Sequence, residues 1–394
     1  MKPIKILILS FYYHPDIGPC PIRTKSLVDS LVNSKIKLEI DIYTTMPNRY
    51  DSYDSSAQEK YEVIQNVKIR RFIIPSHSSR IIDQSISFLS YGIKVLISSR
   101  KENWDIIFAT SSRLMTASLG AFLAKIKHSK LYLDIRDIFS ETLSDTFSKS
   151  IYRLAVNPIR ALERRVIRSA DLVNINSEGF MSFVKNINSS TKITKHTNGI
   201  DNDFICFNFS KKSFNKIPIV LYAGNIGEGQ GLHRILPDVA RKIKTKVIFR
   251  VIGDGGLRKI LEKRINDETD IRVEIINPMP RSKLMDEYQK ADILFLHLND
   301  YQVFKNVLPS KIFEYSATGK PILAGVSGYA KNFLNDNING SEVFHPCDSS
   351  GMIRALEVLL AGKNSYNRDK FIKQYLRKNI MRSMANDLLA LYRL

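Results

Sequence analysis

Short, almost wholly apolar runs recur along this chain, each followed by a turn and then by residues of helical period: Ile4–Leu9, Asp105–Ala109, Lys130–Asp134, Ile219–Ala223 and Asp292–Leu298. A strand with one face in water alternates apolar and polar residues. A run that does not alternate needs cover on both faces, which is the situation of a parallel sheet between two layers of helices. The pattern occupies both halves of the 394 residues, a length sufficient for two cores. The expectation is an α/β chain with two doubly wound, Rossmann-like sheets facing each other across a cleft. The first domain is expected over 1–207. The polar, basic and aperiodic stretch 208–217 reads as a linker, 218–365 as the second domain, and 366–394 as terminal helices.

The window with the most chemistry is Val303–Gly328, which follows the apolar run Asp292–Leu298. Pro309 suits a first helical position, where its missing N–H would have no partner in any case. A helix from Pro309 would present free N–H groups, the Ser310 hydroxyl and the Lys311 ammonium to a phosphate or diphosphate. Glu314 lies one turn further on the same face, about 5 Å from Lys311, roughly the distance from a nucleotide's diphosphate to its ribose hydroxyls. The helix should stop at Gly319, before the strand-like run Lys320–Ala324.

In parallel sheets the working loops follow the carboxyl ends of strands, and several informative segments fall there. Gly18 and Arg23 belong to a Pro- and Gly-containing loop and first helical turn after Ile4–Leu9, while Arg136 and Asp137 close Asp134-Ile-Arg-Asp137. After Ile219–Ala223 comes Gly224-Asn-Ile-Gly-Glu-Gly-Gln-Gly231, whose glycines let backbone approach a phosphate and offer N–H groups to it. No Gly-Lys-Ser/Thr follows, so this loop is not a P-loop.

The Pro309-Ser-Lys-x-x-Glu314 window resembles the donor-binding segment of retaining GT-B glycosyltransferases, the family with many lipopolysaccharide and capsule enzymes. The likeness extends to Asp134-Ile-Arg-Asp137, to the Asn198-Gly-Ile-Asp201 turn and to Gly253-Asp-Gly255. It implies donor contacts from Gly224, Asn225, Gly227, Arg281, Pro309, Ser310, Lys311 and Glu314, with Glu314 on the ribose. Gly18 and Arg136 would lie on the acceptor side, and Asp137, Arg23 and Lys311 near the reacting groups. The family's usual first glutamate of an E-x7-E pair is Asn306 here, and Asn225 and Gln230 stand where many members have an arginine and a lysine. That departure puts the diphosphate's charge on Lys311, helped by Arg23 or Arg281. The resemblance implies transfer from a UDP-sugar, with an N-acetylated deoxyhexose favoured, to an undecaprenyl-diphosphate-linked saccharide. No cofactor and no metal are expected, since no Asp-x-Asp pair stands beside a strand end. In the family the last helix returns to the first domain.

Composition narrows the rivals. The chain is 44% hydrophobic with no apolar run of membrane-spanning length, and Ile4–Ser10 is broken by His14-Pro15-Asp16, unlike a secretory signal. Three scattered cysteines form no C-x-x-C pair, and a cytoplasmic location, peripheral on the inner membrane face, is expected. The net charge of +20 is spread over both halves without a basic tail, which suits anionic lipid headgroups or phosphorylated substrates as well as nucleic acid, though the clustered basic and aromatic residues that a nucleic-acid module needs are not seen. An epimerase or a pyridoxal-dependent phosphorylase of the same two-domain plan remains the alternative. Residues 80–101 read as a helix with one apolar seam, Ile82, Ile86, Leu89, Ile93 and Leu96, expected against the sheet. A second stripe, Ile81, Phe88, Tyr91 and Val95, is left either for interior packing or, with the arginines of helix 150–168, for a membrane interface.

Overall fold

The computed structural model describes residues 2–16, 18–48, 60–75, 81–111, 113–146, 150–209, 214–269 and 271–393. The stretch 49–54, part of a segment whose polar sequence reads as a loop, lies outside them. The chain divides into two compact units, Met1–Asn198 with Arg377–Leu394, and Gly199–Leu376. The stretch expected as a linker, 208–217, falls within the second unit.

The first unit runs β1 (Ile4–Leu9), α1 (Pro19–Val32), β2 (Leu38–Thr45), β3 (Tyr61–Ile64), β4 (Val67–Phe72), α2 (Ile81–Ser99), β5 (Ile106–Thr110) and α3 (Leu114–Lys127). It continues with β6 (Lys130–Ile135), α4 (Phe139–Thr146), α5 (Ser150–Arg168), β7 (Leu172–Ile175), α6 (Met181–Ile187) and β8 (Ile193–Lys195). The second unit runs α7 (Asn202–Cys206), β9 (Ile219–Ala223), α8 (Leu232–Lys242), β10 (Ile248–Ile252), α9 (Arg258–Asn266), β11 (Val273–Ile276) and α10 (Arg281–Lys290). It closes with β12 (Ile293–His297), α11 (Lys311–Ala317), β13 (Ile322–Gly325), α12 (Gly328–Asn337), β14 (Ser341–Phe344), α13 (Ser349–Ala361) and α14 (Asp369–Gln374). The last helix, α15 (Arg377–Ala390), belongs to the first unit.

In the first unit the strand order is β3-β4-β2-β1-β5-β6-β7-β8. All neighbours are parallel except β3, which pairs antiparallel with β4 and sits at the edge. Edge position explains why β3 escapes a search for unbroken apolar runs: Tyr61, Val63 and Ile64 are exposed. The second sheet is wholly parallel, β11-β10-β9-β12-β13-β14. Chain direction across each sheet reverses once, between β1 and β5 and between β9 and β12, and at these points the strand-end loops diverge and leave room for a ligand.

Helices cover both faces of each sheet, as unbroken apolar strands demand. Ile4, Ile6 and Ile8 of β1 pack with Leu27, Val28 and Leu31 of α1 and with Met381, Met384 and Leu388 of α15. Leu7 and Leu9 point to the opposite face, against Tyr91 and Val95 of α2 and Leu119 and Leu123 of α3. The chain enters and leaves the second unit side by side, with Ile200 paired to Leu376 and its amide donating to the Tyr375 carbonyl at 2.8 Å.

Helix α2 corrects one expectation. Tyr91 and Val95 are fully buried and Phe88 is half-buried, with the Tyr91 hydroxyl donating to the Tyr43 carbonyl at 2.8 Å. Ile86, Leu89 and Ile93, expected against the sheet, are exposed instead. Both stripes are apolar, so helical period alone does not rank them. The ring that completes the Phe11, Tyr43 and Phe72 aromatic cluster decides which one turns inward.

Candidate active site

In the second unit the loop after β9, Gly224–Gly231, lies at the point where the strand order reverses. It is packed backbone to backbone against the loop after β10. A Cβ at Gly253, whose φ is +155°, would sit 1.8 Å from the Gly224 carbonyl oxygen, a contact only glycine permits. The Gly224 amide donates to Ile252 O and that of Ile226 to Asp254 O. Asn225 and Gln230 bond each other, Nδ2 to Oε1 at 2.8 Å, so neither brings positive charge to the loop.

The loop after β12 closes the other side. The Asn299 amide donates to Gly229 O at 2.8 Å, and its Nδ2 donates to Glu228 O at 3.0 Å. The Glu228 carboxylate accepts from Arg234 Nη2 and the Tyr301 hydroxyl, each at 2.6 Å. Beneath them His297 has Nδ1 2.6 Å from Gln230 O while Nε2 faces the Cys347 amide at 3.0 Å. One ring nitrogen must donate and the other accept, which makes the imidazole neutral with its proton on Nδ1. Burial pushes its pKa down to about 4 despite the Gln230 carbonyl.

Helix α11 begins at Lys311, two residues later than expected, with Ser310 as an N-cap that makes no side-chain cap bond. Gly319 does end the segment, in the left-handed region at φ +71°. Lys311 and Glu314 share a face, as their spacing requires. They form an ion pair at 2.8 Å. The lysine expected to meet a phosphate therefore has an internal counter-ion here, the carboxylate one turn away. Burial lowers the Lys311 pKa and Glu314 more than offsets this, so the ammonium is held above its usual value. Lys311 Nζ also donates to the Tyr288 hydroxyl at 3.1 Å. Burial, then Glu314, push Tyr288 well above the usual phenol range, so that hydroxyl stays neutral.

Arg281 joins the same group. Its guanidinium bonds Asp201 and lies 5.1 Å from the Phe204 ring centre. Burial opposes its charge, but Glu314 and Asp201 outweigh burial and raise its pKa. Tyr315 joins this cluster to the glycine loop: the Ala223 amide, one residue before Gly224, donates to its hydroxyl at 3.1 Å. Thus Gly224, Arg281, Lys311 and Glu314 are brought to one region of the second unit, with two cations, two carboxylates and neutral phenols. Tyr288, Tyr315 and Asp201 were not among the residues singled out for the donor. Aromatic residues in a helix read as core until a partner is known, and both tyrosines are indeed core residues.

At the strand ends of the first unit the arrangement differs. Arg23 is 2% exposed; Nε and Nη2 bond both oxygens of Asp134 at 3.0 and 3.1 Å, and Nη1 and Nη2 reach Thr197 O and His196 O. Asn174 Nδ2 donates to Asp134 as well, at 2.7 Å. A guanidinium tied to one carboxylate and two carbonyls braces α1, β6 and the segment after β8. Its expected place beside the reacting groups is corrected on that ground. Gly18, at φ 143°, serves as N-cap of α1. Arg136 is buried, its amide donates to Ser111 Oγ at 2.9 Å, and Nη1 finds no hydrogen-bond partner among the described residues. Asp137, next to it, is exposed. Among the described residues no group of three or more His, Cys, Asp and Glu is arranged to hold a metal.

Comparison with known proteins adds three findings. Residues 206–378 match the family model described as Glycosyl transferases group 1. Over 176 residues the chain is 27% identical to WcaI of Escherichia coli (strain K12), a protein named for glycosyl transfer in colanic acid biosynthesis. That stretch is 43% of this chain and spans only 42% of the relative's length. Among solved structures, sucrose-phosphate synthase from Thermosynechococcus elongatus superposes with a TM-score of 0.71 at 14% identity, covering 100% of both chains. Anabaena HepE in complex with UDP gives 0.55 at 14% identity, covering 100% of this chain and 98% of that one. At such identities the likeness is one of fold, and the fold is the GT-B one.

Proposed function

We propose, for a chain whose residues 206–378 belong to the glycosyl transferases group 1 family, that it is a retaining, metal-independent glycosyltransferase. It moves a sugar, an N-acetylated deoxyhexose, from UDP to an undecaprenyl-diphosphate-linked saccharide in cell-surface polysaccharide synthesis, at the inner face of the cytoplasmic membrane. One observation carries the reading. At the carboxyl-end reversal of a parallel sheet, a glycine-lined loop is tied through Tyr315 to a helix whose first turn bears Lys311 and Glu314 at 2.8 Å. The relation to WcaI favours a surface-polysaccharide product, and the UDP complex of a protein of the same fold favours a uridine nucleotide.

Binding of UDP exchanges partners within this group. The ribose hydroxyls donate to Glu314, and the diphosphate takes its place as the counter-ion of Lys311. As the bond from the anomeric carbon to the phosphate oxygen breaks, the negative charge left on the diphosphate is met by Lys311, Arg281 and loop N–H groups. The acceptor hydroxyl attacks on the same face of the sugar and its proton passes to the departing phosphate oxygen. No further base is needed.

Screening UDP-sugars by thermal shift tests the reading: the correct donor at 100 times its Kd adds about 2.7 kcal/mol of stability. Transfer should persist in EDTA. Stabilisation by no uridine nucleotide, or a requirement for added magnesium or manganese, would overturn it.

A further inference from the structure

The outer face of the α2 and α3 layer is apolar. On α2, Ile86, Leu89, Ile93 and Ile97 recur at helical spacing and are 49–63% exposed, while Tyr91 and Val95 bury the opposite side. On α3, Met115, Phe122 and Ile126 do the same, with Leu119 and Leu123 turned to the sheet. Both helices cover one face of the sheet, and Lys127 Nζ donates to Arg100 O at 3.0 Å, so the two helices are neighbours in that layer. A patch of this kind marks an interaction surface.

We infer that this face docks the protein on an anionic lipid bilayer, an inference that rests on the reading of the acceptor as lipid-linked. Arg100, Lys101 and Lys125 are exposed around the ends of the two helices, and the exposed arginines Arg164, Arg165 and Arg168 lie on α5, which packs beside α3. An aliphatic and phenyl surface beside cations has the two features of stable interfacial binding, insertion and headgroup attraction. A second copy of the chain would bring like charges together, at +20 per molecule. A protein partner's interface is ordinarily richer in tyrosine, tryptophan and central arginine than this face is.

The test is co-sedimentation of the full chain with vesicles of equal parts phosphatidylglycerol and phosphatidylcholine, beside vesicles of phosphatidylcholine alone. The wild type should partition onto the anionic vesicles, and the exposed-site variant Leu89→Asp with Phe122→Asp should lose at least ten-fold. Arg100→Gln with Lys101→Gln and Lys125→Gln should bind less and lose most of its salt dependence. Failure of the wild type to bind, or equal binding by the aspartate variant, overturns the inference. So does a wild-type dimer in light scattering that the aspartate variant dissolves while vesicle binding persists. UDP calorimetry on the same samples separates the two readings. Vesicle binding that behaves as expected without any UDP binding sinks the transferase and leaves the docking face, whereas UDP binding with indifferent vesicle binding does the reverse.

Discussion

Two ion pairs, Arg23 of α1 with Asp134 of β6 in the first unit and Lys311 with Glu314 on α11 in the second, differ in what surrounds them. The first pair is 2% exposed on both sides, with the remaining hydrogen bonds going to backbone and to Asn174. The second is 27% and 13% exposed, and its neighbours are a phenol and a second cation. A buried pair whose every neighbour is fixed has nothing to exchange with a ligand. A pair open on one side can trade its internal partner for a phosphate and a ribose. Residue type is nearly the same in both, and the surroundings set them apart.

The largest effect expected is on folding. Arg23→Met leaves the Asp134 carboxylate buried without its cation and should cost about 3–5 kcal/mol in urea unfolding. UDP affinity of the folded fraction should be unaltered. Weaker UDP binding without loss of stability would erase the contrast between the pairs.

Glu314→Gln should do the opposite. Loss of a charged acceptor for the ribose is expected to weaken UDP binding by about 1.5–3 kcal/mol in calorimetry, with little change in unfolding. Unchanged affinity would remove Glu314 from the donor site.

His297 sharpens the comparison through pH. Its folded pKa of about 4 lies below the ordinary value of 6.5, so between those values the unfolded state binds more protons and stability falls as pH falls. The expected loss between pH 7 and 5 is about 2 kcal/mol from this group. Comparison with His297→Asn isolates it from the carboxylates. If both proteins lose stability in parallel, the ring is not the titrating group.

The smallest effect concerns charge on the leaving group. Lys311→Ala should slow transfer at least ten-fold, about 1.4 kcal/mol in the barrier. Full turnover in the variant would shift that role to Arg281.

Much of this was legible in the residues. The unbroken apolar runs gave both sheets their parallel character, because backbone covered on two faces tolerates no polar alternation. The spacing of Lys311 and Glu314 by itself places them on one helix face. The edge strand β3 was not visible, being short and exposed. Nor was the joining of α11 to β9 through Tyr315, because a hydroxyl's partner across 92 residues leaves no local pattern.

Local physics acts over one or two turns, so sequence by itself determined most of the elements, the parallel core of both sheets, the glycine loop and the one-turn distance from lysine to carboxylate. Which of two apolar stripes on α2 turned inward and which arginine was buried were decided only by tertiary structure. Those outcomes depend on competition among residues distant in the chain. Tyr91 won its place by completing an aromatic cluster, and Arg23 was drawn inside by Asp134, 111 residues away.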